Sequence, residues 1–264
     1  MPEAVRAVLV VPCYNEAKRF QQQRFAEALR AYPGLGLLFV NDGSRDGTDH
    51  VVQNFVNQHS KQSALYTLSV NQGKAEAVRL GFKRCFSPDF TAPWSRSSLE
   101  FLGYWDADLA TPFCEFPRFL ETFTHHPRLW LVMGARVNLL GRSIERHVHR
   151  HYLGRVFATA ASIVLGLPVY DTQCGAKVFR FTPAIASLFE RPFISGWIFD
   201  VELLARLRVV LQKDQLRPHD TIYELPLLKW QDIAGSKIRP RDFFKAFLSL
   251  MRIAKLYPRP ELVK

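Results

Sequence analysis

Short apolar segments with strand character alternate in this chain with segments of helical periodicity. The apolar segments lie at residues 7–11, 35–40, 66–70, 101–105 and 129–133, and the helical patterns lie at residues 25–31, 48–58, 74–86 and 115–124. This alternation predicts an α/β fold in which a mostly parallel, twisted sheet is covered by helices on both faces. Ligands bind such sheets beyond the carboxyl ends of the strands, so the residues that follow each apolar segment are the candidates for a site.

The fourth apolar segment ends in two carboxylates one residue apart, within the sequence FLGYWDADLATP. If residues 101–105 form a buried strand, Asp106 and Asp108 lie where that strand opens into a loop. Two carboxylates this close repel each other unless a positive charge lies between them. Carboxylate oxygens suit Mg²⁺ or Mn²⁺, and the phosphate oxygens of a nucleotide diphosphate can complete the coordination of the metal. A solvated turn is the alternative for this short motif.

Polar residues also follow the three apolar segments that come before it. The first is followed by PCYNE, the second by NDGSRDGT and the third by NQGK. Each of these could alone be a turn or the start of a helix. At four successive strand ends, however, polar side chains predict a common site at one rim of the sheet. Neither GxGxxG nor GxxxxGK[ST] occurs at these strand ends, which disfavours a dinucleotide-binding or P-loop fold.

The net charge of +11 and the isoelectric point near 9.7 indicate a negatively charged partner, such as nucleic acid, an anionic membrane surface or a phosphorylated substrate. The basic residues are spread along the chain rather than joined in runs, so we expect no nucleic-acid partner. The four cysteines show no CxxC spacing, and neither a zinc site nor a disulfide framework is predicted. No apolar stretch reaches the ~20 residues of a transmembrane helix, and the N-terminal run is too short for a signal peptide, so we expect a cytoplasmic protein.

Several longer motifs occur in the order that is typical of one enzyme family. They are VVPCYNE, FVNDGSRDGT, NQGKAEAVRLGF, YWDADLATP and MGAR, followed by YDTQCGAKVFR, GWIFDVELL and ELPLLKWQDIAGSKIRP. Taken together they resemble the inverting family 2 glycosyltransferases, which have a GT-A fold. The later motifs resemble the branch that uses polyprenyl phosphates, first the dolichyl-phosphate glucosyltransferases and next the mannosyltransferases. The resemblance implies transfer of a hexose, with glucose from UDP-glucose expected, to a polyprenyl phosphate. GDP-mannose as the donor, or a non-lipid acceptor, is the alternative.

The resemblance also implies roles for individual residues on the donor side. The implied nucleotide-sugar residues are Pro12, Tyr14, Glu16, Asp42, Lys74, Asp106, Lys237 and Arg239. Asp42 would accept a hydrogen bond from the base, and the last two residues would belong to a segment that closes over the diphosphate. Asp108 would be the principal ligand of Mg²⁺ or Mn²⁺, with Asp106 beside it. Mannosyltransferase relatives often carry a second side-chain ligand where this chain has Ala110, which favours the glucosyl branch.

A second group of residues is implied for the acceptor side. It comprises Arg136, Arg146 and Arg150, with Arg142, Asp171, Gln173, Asp200 and Glu202 as further candidates. Arg136 would face the reacting phosphates, and the next arginines would bind the lipid phosphate. A phosphate acceptor is largely ionised near neutral pH, so the reaction needs no strong general base. Asp200 and Glu202 would point in different directions on a helix, so at most one of them could face the site, and pairing with an arginine is the alternative.

The expected domain organisation is a glycosyltransferase domain at residues 1–240 and a C-terminal amphipathic helix with its tail at residues 241–264. An acceptor and interface segment is expected at about residues 136–170. Near the C-terminus, one helical stripe collects Phe244, Phe247, Leu248 and Met251. Basic residues lie elsewhere on this helix, which is typical of peripheral contact with an anionic membrane surface, and residues 150–167 could form a second such helix. Core packing is the alternative for both helices.

Two other functional classes are compatible with single features of the sequence. The motif of aspartate-nucleophile phosphatases also begins with Asp-x-Asp, but it continues with Gly-Thr where this chain has Leu109-Ala110. A non-catalytic protein that binds nucleic acid would rest on the net charge alone. The combined motifs therefore favour the glycosyltransferase.

Overall fold

The computed structural model describes residues 4–145, 148–232 and 240–259. Its strands are β1 (Ala7–Cys13), β2 (Leu35–Asn41), β3 (Ser63–Thr67), β4 (Phe101–Trp105), β5 (Leu131–Ala135), β6 (Ser143–Glu145), β7 (Ala176–Arg180), β8 (Ile222–Pro226) and β9 (Lys229–Gln231). Its helices are α1 (Gln22–Ala31), α2 (Thr48–Gln58), α3 (Lys74–Phe86), α4 (Phe116–His125), α5 (Val148–Leu165), α6 (Pro183–Ser187), α7 (Phe199–Lys213), α8 (Pro218–Thr221) and α9 (Pro240–Leu256).

A seven-stranded sheet forms the centre of the molecule, with the strand order β3-β2-β1-β4-β7-β5-β8. Strands β1 to β4 pair in parallel, and β5 pairs in parallel with β8. β7 lies antiparallel between β4 and β5, so its first residues lie at the carboxyl end of β4. The predicted α/β fold with a mostly parallel sheet is therefore confirmed.

The two faces of the sheet are buried in separate apolar clusters. In β1, Val8 and Val10 belong to the cluster that contains side chains of α3, α7 and α9. Leu9 and Val11 alternate with them and belong to the cluster that contains side chains of α1, α2 and α4. Successive side chains of a strand point to opposite faces, so an apolar run without polar alternation is what a sheet buried on both faces requires.

Strands β1 and β2 begin where predicted but extend to Cys13 and Asn41, past the predicted ends at residues 11 and 40, whereas β3 and β5 begin at other residues than predicted. The third strand was predicted at residues 66–70, but β3 is Ser63–Thr67. After Thr67 the chain turns towards the end of β2. There the Asp42 carboxylate accepts the backbone N–H groups of Gln72 and Gly73. The fifth was predicted at residues 129–133, but β5 begins at Leu131, because the N–H of Leu129 closes a turn onto the carbonyl of His126. Helices α2 and α3 and strand β4 have the predicted bounds.

Across the described ranges, no helix combines the length and the apolar character that crossing a bilayer requires.

The cysteines should differ sharply in reactivity, because Cys114 is exposed while Cys13, Cys85 and Cys174 are buried free thiols. Burial, with a further contribution from the Asp171 charge, raises the pKa of Cys174 to about 11, and burial also raises the pKa values of Cys13 and Cys85. Thiolate is the reactive form, so a thiol reagent at pH 8 should modify one cysteine of the native protein and all four after denaturation. Mass spectrometry of the labelled protein checks this, and rapid native labelling of Cys174 would contradict it.

Candidate active site

The ends of β1, β2 and β4 and the start of α3 surround one cavity of about 470 Å³. Seven of the implied donor-side and metal residues line it, namely Pro12, Tyr14, Glu16, Asp42, Lys74, Asp106 and Asp108. The volume lies within the range of small-molecule sites. The structure thus brings together residues that are almost 100 positions apart in the sequence, and their individual roles stay predictions.

The loops after β1 and β2 are joined into one wall of this cavity. Four hydrogen bonds join them: Asn15 N to Ser44 Oγ (3.0 Å), Glu16 N to Thr48 Oγ1 (2.7 Å), Ala17 N to Asp46 Oδ2 (3.1 Å), and Arg45 N to Asn15 Oδ1 (3.0 Å). In three of these bonds a side chain of the second loop accepts a backbone N–H of the first. The polar composition of NDGSRDGT therefore has a structural reason beyond the turn that it forms.

Asp42 is buried and binds the loop that precedes α3. Its Oδ1 accepts the N–H of Gln72 at 2.7 Å, and its Oδ2 accepts the N–H of Gly73 and the Nδ2 group of Asn71, both at 2.8 Å. We expected this carboxylate to accept a hydrogen bond from a base. In the structure both oxygens already hold the NQG loop, and so fix the start of α3 at Lys74.

Lys74 and the acidic pair form the charged centre of the cavity. The Lys74 ammonium lies 2.5 Å from Asp106 Oδ1. Asp108 Oδ1 accepts the N–H of Ala110 at 3.0 Å, in a tight turn in which Leu109 has a φ of 55°. Burial and the neighbouring Asp106 charge raise the pKa of Asp108 above its ordinary value. The pair therefore repels in the way that the sequence predicted, and a cation would relieve that repulsion.

The donor set fits a hard divalent cation that shares its coordination with a bound diphosphate. No cluster of three or more His, Cys, Asp or Glu side chains that could hold a metal occurs in the part of the chain that the structure describes. From this cavity, the protein would supply Asp106 and Asp108. Mg²⁺ and Mn²⁺ prefer oxygen ligands and commonly take the rest of their coordination from substrate phosphates and water, which this open cavity can accommodate.

Gly175 packs directly against Asp106, the first residue of the acidic pair. Its carbonyl accepts the N–H of Asp106 at 3.0 Å, and a Cβ atom at Gly175 would collide with the Asp106 carboxylate. This contact arises because β7 runs antiparallel to β4, which places the loop before β7 beside the end of β4. The sequence motif YDTQCGAKVFR thereby becomes part of the site.

On the acceptor side, Arg136 follows β5 and pairs with Asp171. Its Nε lies 2.6 Å from Asp171 Oδ2 and one terminal nitrogen lies 2.7 Å from Oδ1, in a bidentate pair. Burial opposes the charge of Arg136, but the Asp171 carboxylate more than offsets this and holds the pKa of Arg136 above its usual value. The guanidinium also lies 5.2 Å from the ring centre of Trp230. Arg136 and Asp171, both predicted for the acceptor side, thus form one ion pair at the rim of the sheet where the strands end.

The remaining implied basic residues are described only in part. Arg142 donates to the carbonyls of Pro226 (2.8 Å) and Leu227 (3.1 Å), which ties the segment after β5 to β8. Arg146, Lys237 and Arg239 lie outside the described residues, as does the side chain of Arg150.

Asp200 and Glu202, which are predicted candidates for the acceptor side, lie in α7, and each is held in an ion pair. Asp200 is buried and accepts hydrogen bonds from the Tyr104 hydroxyl and the Lys177 ammonium. Glu202 is fully buried and pairs with Arg206 at 2.7 Å. The helical spacing correctly separates the two directions, and each carboxylate meets a cation, the buried Lys177 for Asp200 and the half-buried Arg206 for Glu202. The alternative from the sequence was a pair between one of these carboxylates and an arginine of the acceptor segment, whereas the observed partners are Lys177 of β7 and Arg206 of α7.

Three charged residues near the site escaped the sequence analysis. Arg19 lines the cavity and pairs with Glu16 through two N–H groups. The Glu-x-x-Arg spacing was the one sequence feature that could have indicated this pair. Glu224 accepts the N–H groups of Tyr170 and Asp171, which no local pattern indicated. Lys177 is buried in β7, and a lysine inside an apolar strand was the available signal.

Comparison with known sequences identifies the family. The profile described as Glycosyl transferase family 2 matches residues 8–187. The chain is 31% identical to "Dolichyl-phosphate beta-glucosyltransferase ALG5C" of Trichomonas vaginalis, over 96% of this chain and 72% of the relative. It is 28% identical to the dolichyl-phosphate beta-glucosyltransferase of Drosophila melanogaster (88% and 69%) and 26% identical to that of Saccharomyces cerevisiae (89% and 70%).

Solved structures of low sequence identity share the fold. Glucosyl-3-phosphoglycerate synthase from Mycobacterium tuberculosis, solved with Mn²⁺, uridine diphosphate and phosphoglyceric acid, superimposes with a TM-score of 0.61 at 17% identity, over 97% of this chain and 80% of that chain. Staphylococcus aureus TarS in complex with UDP-GlcNAc gives a TM-score of 0.56 at 14% identity, with coverages of 97% and 68%. Because the profile match spans more than half of the sequence, this chain belongs to glycosyltransferase family 2 and is an enzyme similar to the dolichyl-phosphate β-glucosyltransferases.

Proposed function

We propose that this enzyme transfers glucose from UDP-glucose to a polyprenyl phosphate, of which dolichyl phosphate is one, in a reaction that depends on Mg²⁺ or Mn²⁺. The observation that carries the proposal is the single cavity in which Asp106, Asp108 and Lys74 meet the loops after β1 and β2. The names of the sequence relatives support the lipid acceptor. The uridine nucleotides and Mn²⁺ in structures of the same fold support the donor and the metal.

The nucleotide would enter along the wall formed by the loops after β1 and β2. Tyr14 is exposed beside the cavity, where its ring can stack on a base, while Pro12 and Glu16 line the adjacent surface. The Asp42 carboxylate keeps the NQG loop in place, so Lys74 points at the acidic pair. A uridine diphosphate bound in this way has its phosphates next to Lys74, Asp106 and Asp108.

The chemical step is a single displacement. An oxygen of the acceptor phosphate attacks the anomeric carbon of the sugar, the bond between this carbon and the β-phosphate oxygen breaks, and uridine diphosphate leaves. A divalent cation held by Asp106 and Asp108 would neutralise charge on the leaving diphosphate. Lys74 contributes a second positive charge at the same place. The configuration inverts, so an α-linked donor yields a β-linked product.

The acceptor needs cations more than a base. A phosphate monoester with a second pKa of about 6 is largely ionised at neutral pH, so it can attack without losing a further proton. Asp200 and Glu202 are buried in ion pairs, which is consistent with a reaction that uses neither as a base. Arg136 and Arg142 are held at the rim after β5, and Arg146 and Arg150 follow in sequence. Guanidinium groups suit the recognition of phosphate oxygens.

Contact with an anionic membrane surface forms part of this proposal. In α9, Ala246, Leu250 and Ile253 are buried, whereas Phe247, Leu248 and Met251 are exposed. Basic side chains flank the exposed stripe at Lys245, Arg252 and Lys255, and they are exposed as well. Helix α5 also exposes Val156 and Ile163, at 71% and 60% of their surface. An apolar stripe bordered by lysine and arginine suits the interface of an acidic bilayer. The proposal also includes the predicted division of the chain into a glycosyltransferase domain at residues 1–240 and a C-terminal helix with its tail at residues 241–264.

A panel of donors and acceptors tests the proposed reaction. The purified protein is incubated with UDP-glucose or GDP-mannose, with polyprenyl phosphate, 3-phosphoglycerate or no acceptor, and with Mg²⁺, Mn²⁺ or a chelator. The expected result is a lipid-linked hexose that forms from UDP-glucose in the presence of a divalent cation. Equal donor consumption without the lipid would remove the lipid acceptor from the proposal, and a preference for GDP-mannose would replace the donor.

Replacing the exposed stripe of α9 should weaken membrane binding but not nucleotide binding. In the triple variant Phe247→Ser, Leu248→Ser and Met251→Ser, we expect binding to vesicles that contain acidic lipids to fall at least about tenfold, because three apolar side chains no longer enter the interface. Cosedimentation with the vesicles measures this. Leu216→Ser, an exposed apolar residue outside α5 and α9, is the control and should bind like the wild type. Undiminished binding of the triple variant would contradict the proposed surface.

A further inference from the structure

Lys177 is a charged residue in the interior of the central sheet. It lies on β7 between β4 and β5, with no exposed surface. Its ammonium donates three hydrogen bonds, to Asp200 Oδ1 (2.6 Å), Cys174 O (2.7 Å) and Thr172 O (2.9 Å). A lysine ammonium has three N–H groups, so these contacts use its full hydrogen-bonding capacity.

The pairing with Asp200 does not by itself explain why a lysine occupies this position. A buried ion pair loses the hydration of both charges, and apolar side chains of similar volume often stabilise a core as well or better. Tyr104, which lies opposite Lys177 in the strand register, donates to the same Asp200 oxygen. What the lysine adds, and an apolar residue could not, is the pair of bonds to the backbone carbonyls of the loop before β7.

That loop, residues 171–175, forms part of the candidate active site. Its first residue, Asp171, pairs with Arg136, and its last, Gly175, packs against the Asp106 carboxylate. Two of its side-chain atoms, Thr172 Oγ1 and Gln173 Nε2, are buried without a hydrogen-bond partner among the described residues. The middle of the loop is therefore held through its carbonyl groups, which Lys177 binds from inside the core.

We propose that Lys177 is a positioning residue that fixes the 171–175 loop against Asp106, and so sets the orientation of this carboxylate towards the divalent cation and the nucleoside diphosphate. The inference rests on the proposed function, because Asp106 needs a defined orientation only if it serves a bound metal–nucleotide complex. Lys177 touches neither the donor nor the acceptor in this arrangement. It acts through the loop.

The test separates this positioning from a general effect on folding. Lys177→Met leaves the Asp200 carboxylate buried without its cation, so the double variant Lys177→Met/Asp200→Asn, which removes both charges, is the main test. Arg208→Met is the matched control, since Arg208 is also a buried cation that binds backbone carbonyls, those of Leu165, Tyr257 and Pro258. Thermal unfolding, calorimetric binding of uridine diphosphate with Mn²⁺, and the kcat for a short-chain prenyl phosphate are measured for each protein.

For the folded double variant we expect weaker Mn²⁺-dependent nucleotide binding and a kcat about thirtyfold lower, somewhat less than the hundredfold loss that a misplacement of 1 Å can cause. The Arg208→Met control should keep wild-type nucleotide binding and kcat, even if its unfolding temperature is lower than that of the wild type. A double variant with wild-type binding and kcat would overturn the inference and leave the proposed function intact. A wild-type protein that binds no uridine diphosphate with Mn²⁺ would refute the proposed function, and the inference with it.

Discussion

The Asp108→Asn variant is expected to lose about a thousandfold in kcat for hexose transfer, because it removes one negative charge from the pair that would hold the cation at the leaving diphosphate. Asparagine has nearly the same shape as aspartate, and its side-chain oxygen can still accept the N–H of Ala110, so the turn after β4 should persist. Mn²⁺-dependent binding of uridine diphosphate, measured by calorimetry, should weaken in parallel. Steady-state turnover of UDP-glucose with polyprenyl phosphate measures the main effect.

The stability of the Asp108→Asn variant should not fall along with its kcat. This difference distinguishes the loss of a metal ligand from misfolding. Burial and the Asp106 charge raise the pKa of Asp108, so the ionised form is disfavoured in the folded state relative to the unfolded state. At pH 7 the neutral asparagine avoids this penalty, and the unfolding temperature of the variant should be equal to that of the wild type or higher. Loss of activity together with a lower unfolding temperature would point to misfolding instead of a lost metal ligand. A variant that keeps a third of the wild-type kcat would contradict the assigned role.

The sequence was sufficient for the donor side of the site because that side is built from consecutive strand–helix units. Polar residues follow β1, β2 and β4, and parallel strands bring their carboxyl ends to one rim without any further information. The bounds of α2, α3 and β4 follow from local periodicity and turn residues for the same reason. What the sequence could not give was the hydrogen bonding of Asp42, whose two oxygens accept donors of the NQG loop.

The other half of the site depends on a contact that no local pattern contains. β7 enters the sheet antiparallel between β4 and β5, although about 70 residues separate it from β4 in the sequence. That insertion brings Gly175 against Asp106 and places Lys177 opposite Tyr104. Asp200 and Glu202 illustrate the same limit, because their cations come in one case from β7 and in the other from the next turn of α7. Helical spacing gives the direction of a side chain but not its partner.

The Gly175→Ala variant is expected to lower kcat/KM about a hundredfold, because the added methyl group collides with the Asp106 carboxylate and would displace it from the position proposed for binding the metal–nucleotide complex. The φ angle of Gly175 lies outside the left-handed region, so alanine suits the backbone and the effect should come from the collision alone. Gly175 and Asp106 are both partly exposed, so the collision should cost no more than the about 1–3 kcal/mol that is typical of overpacking in a core, and the protein should stay folded.

Gly196→Ala is the matched control for this variant, since a Cβ atom at Gly196 meets nothing within 4 Å and its φ is likewise outside the left-handed region. The control should retain wild-type kinetics and thermal stability. Kinetics with UDP-glucose and calorimetric binding of uridine diphosphate with Mn²⁺ distinguish the two variants, because displacement of Asp106 should weaken binding as well as turnover. If Gly175→Ala folded and turned over like Gly196→Ala, the loop before β7 would have no part in orienting Asp106, and the site would have to be assigned to the donor-side strand ends alone.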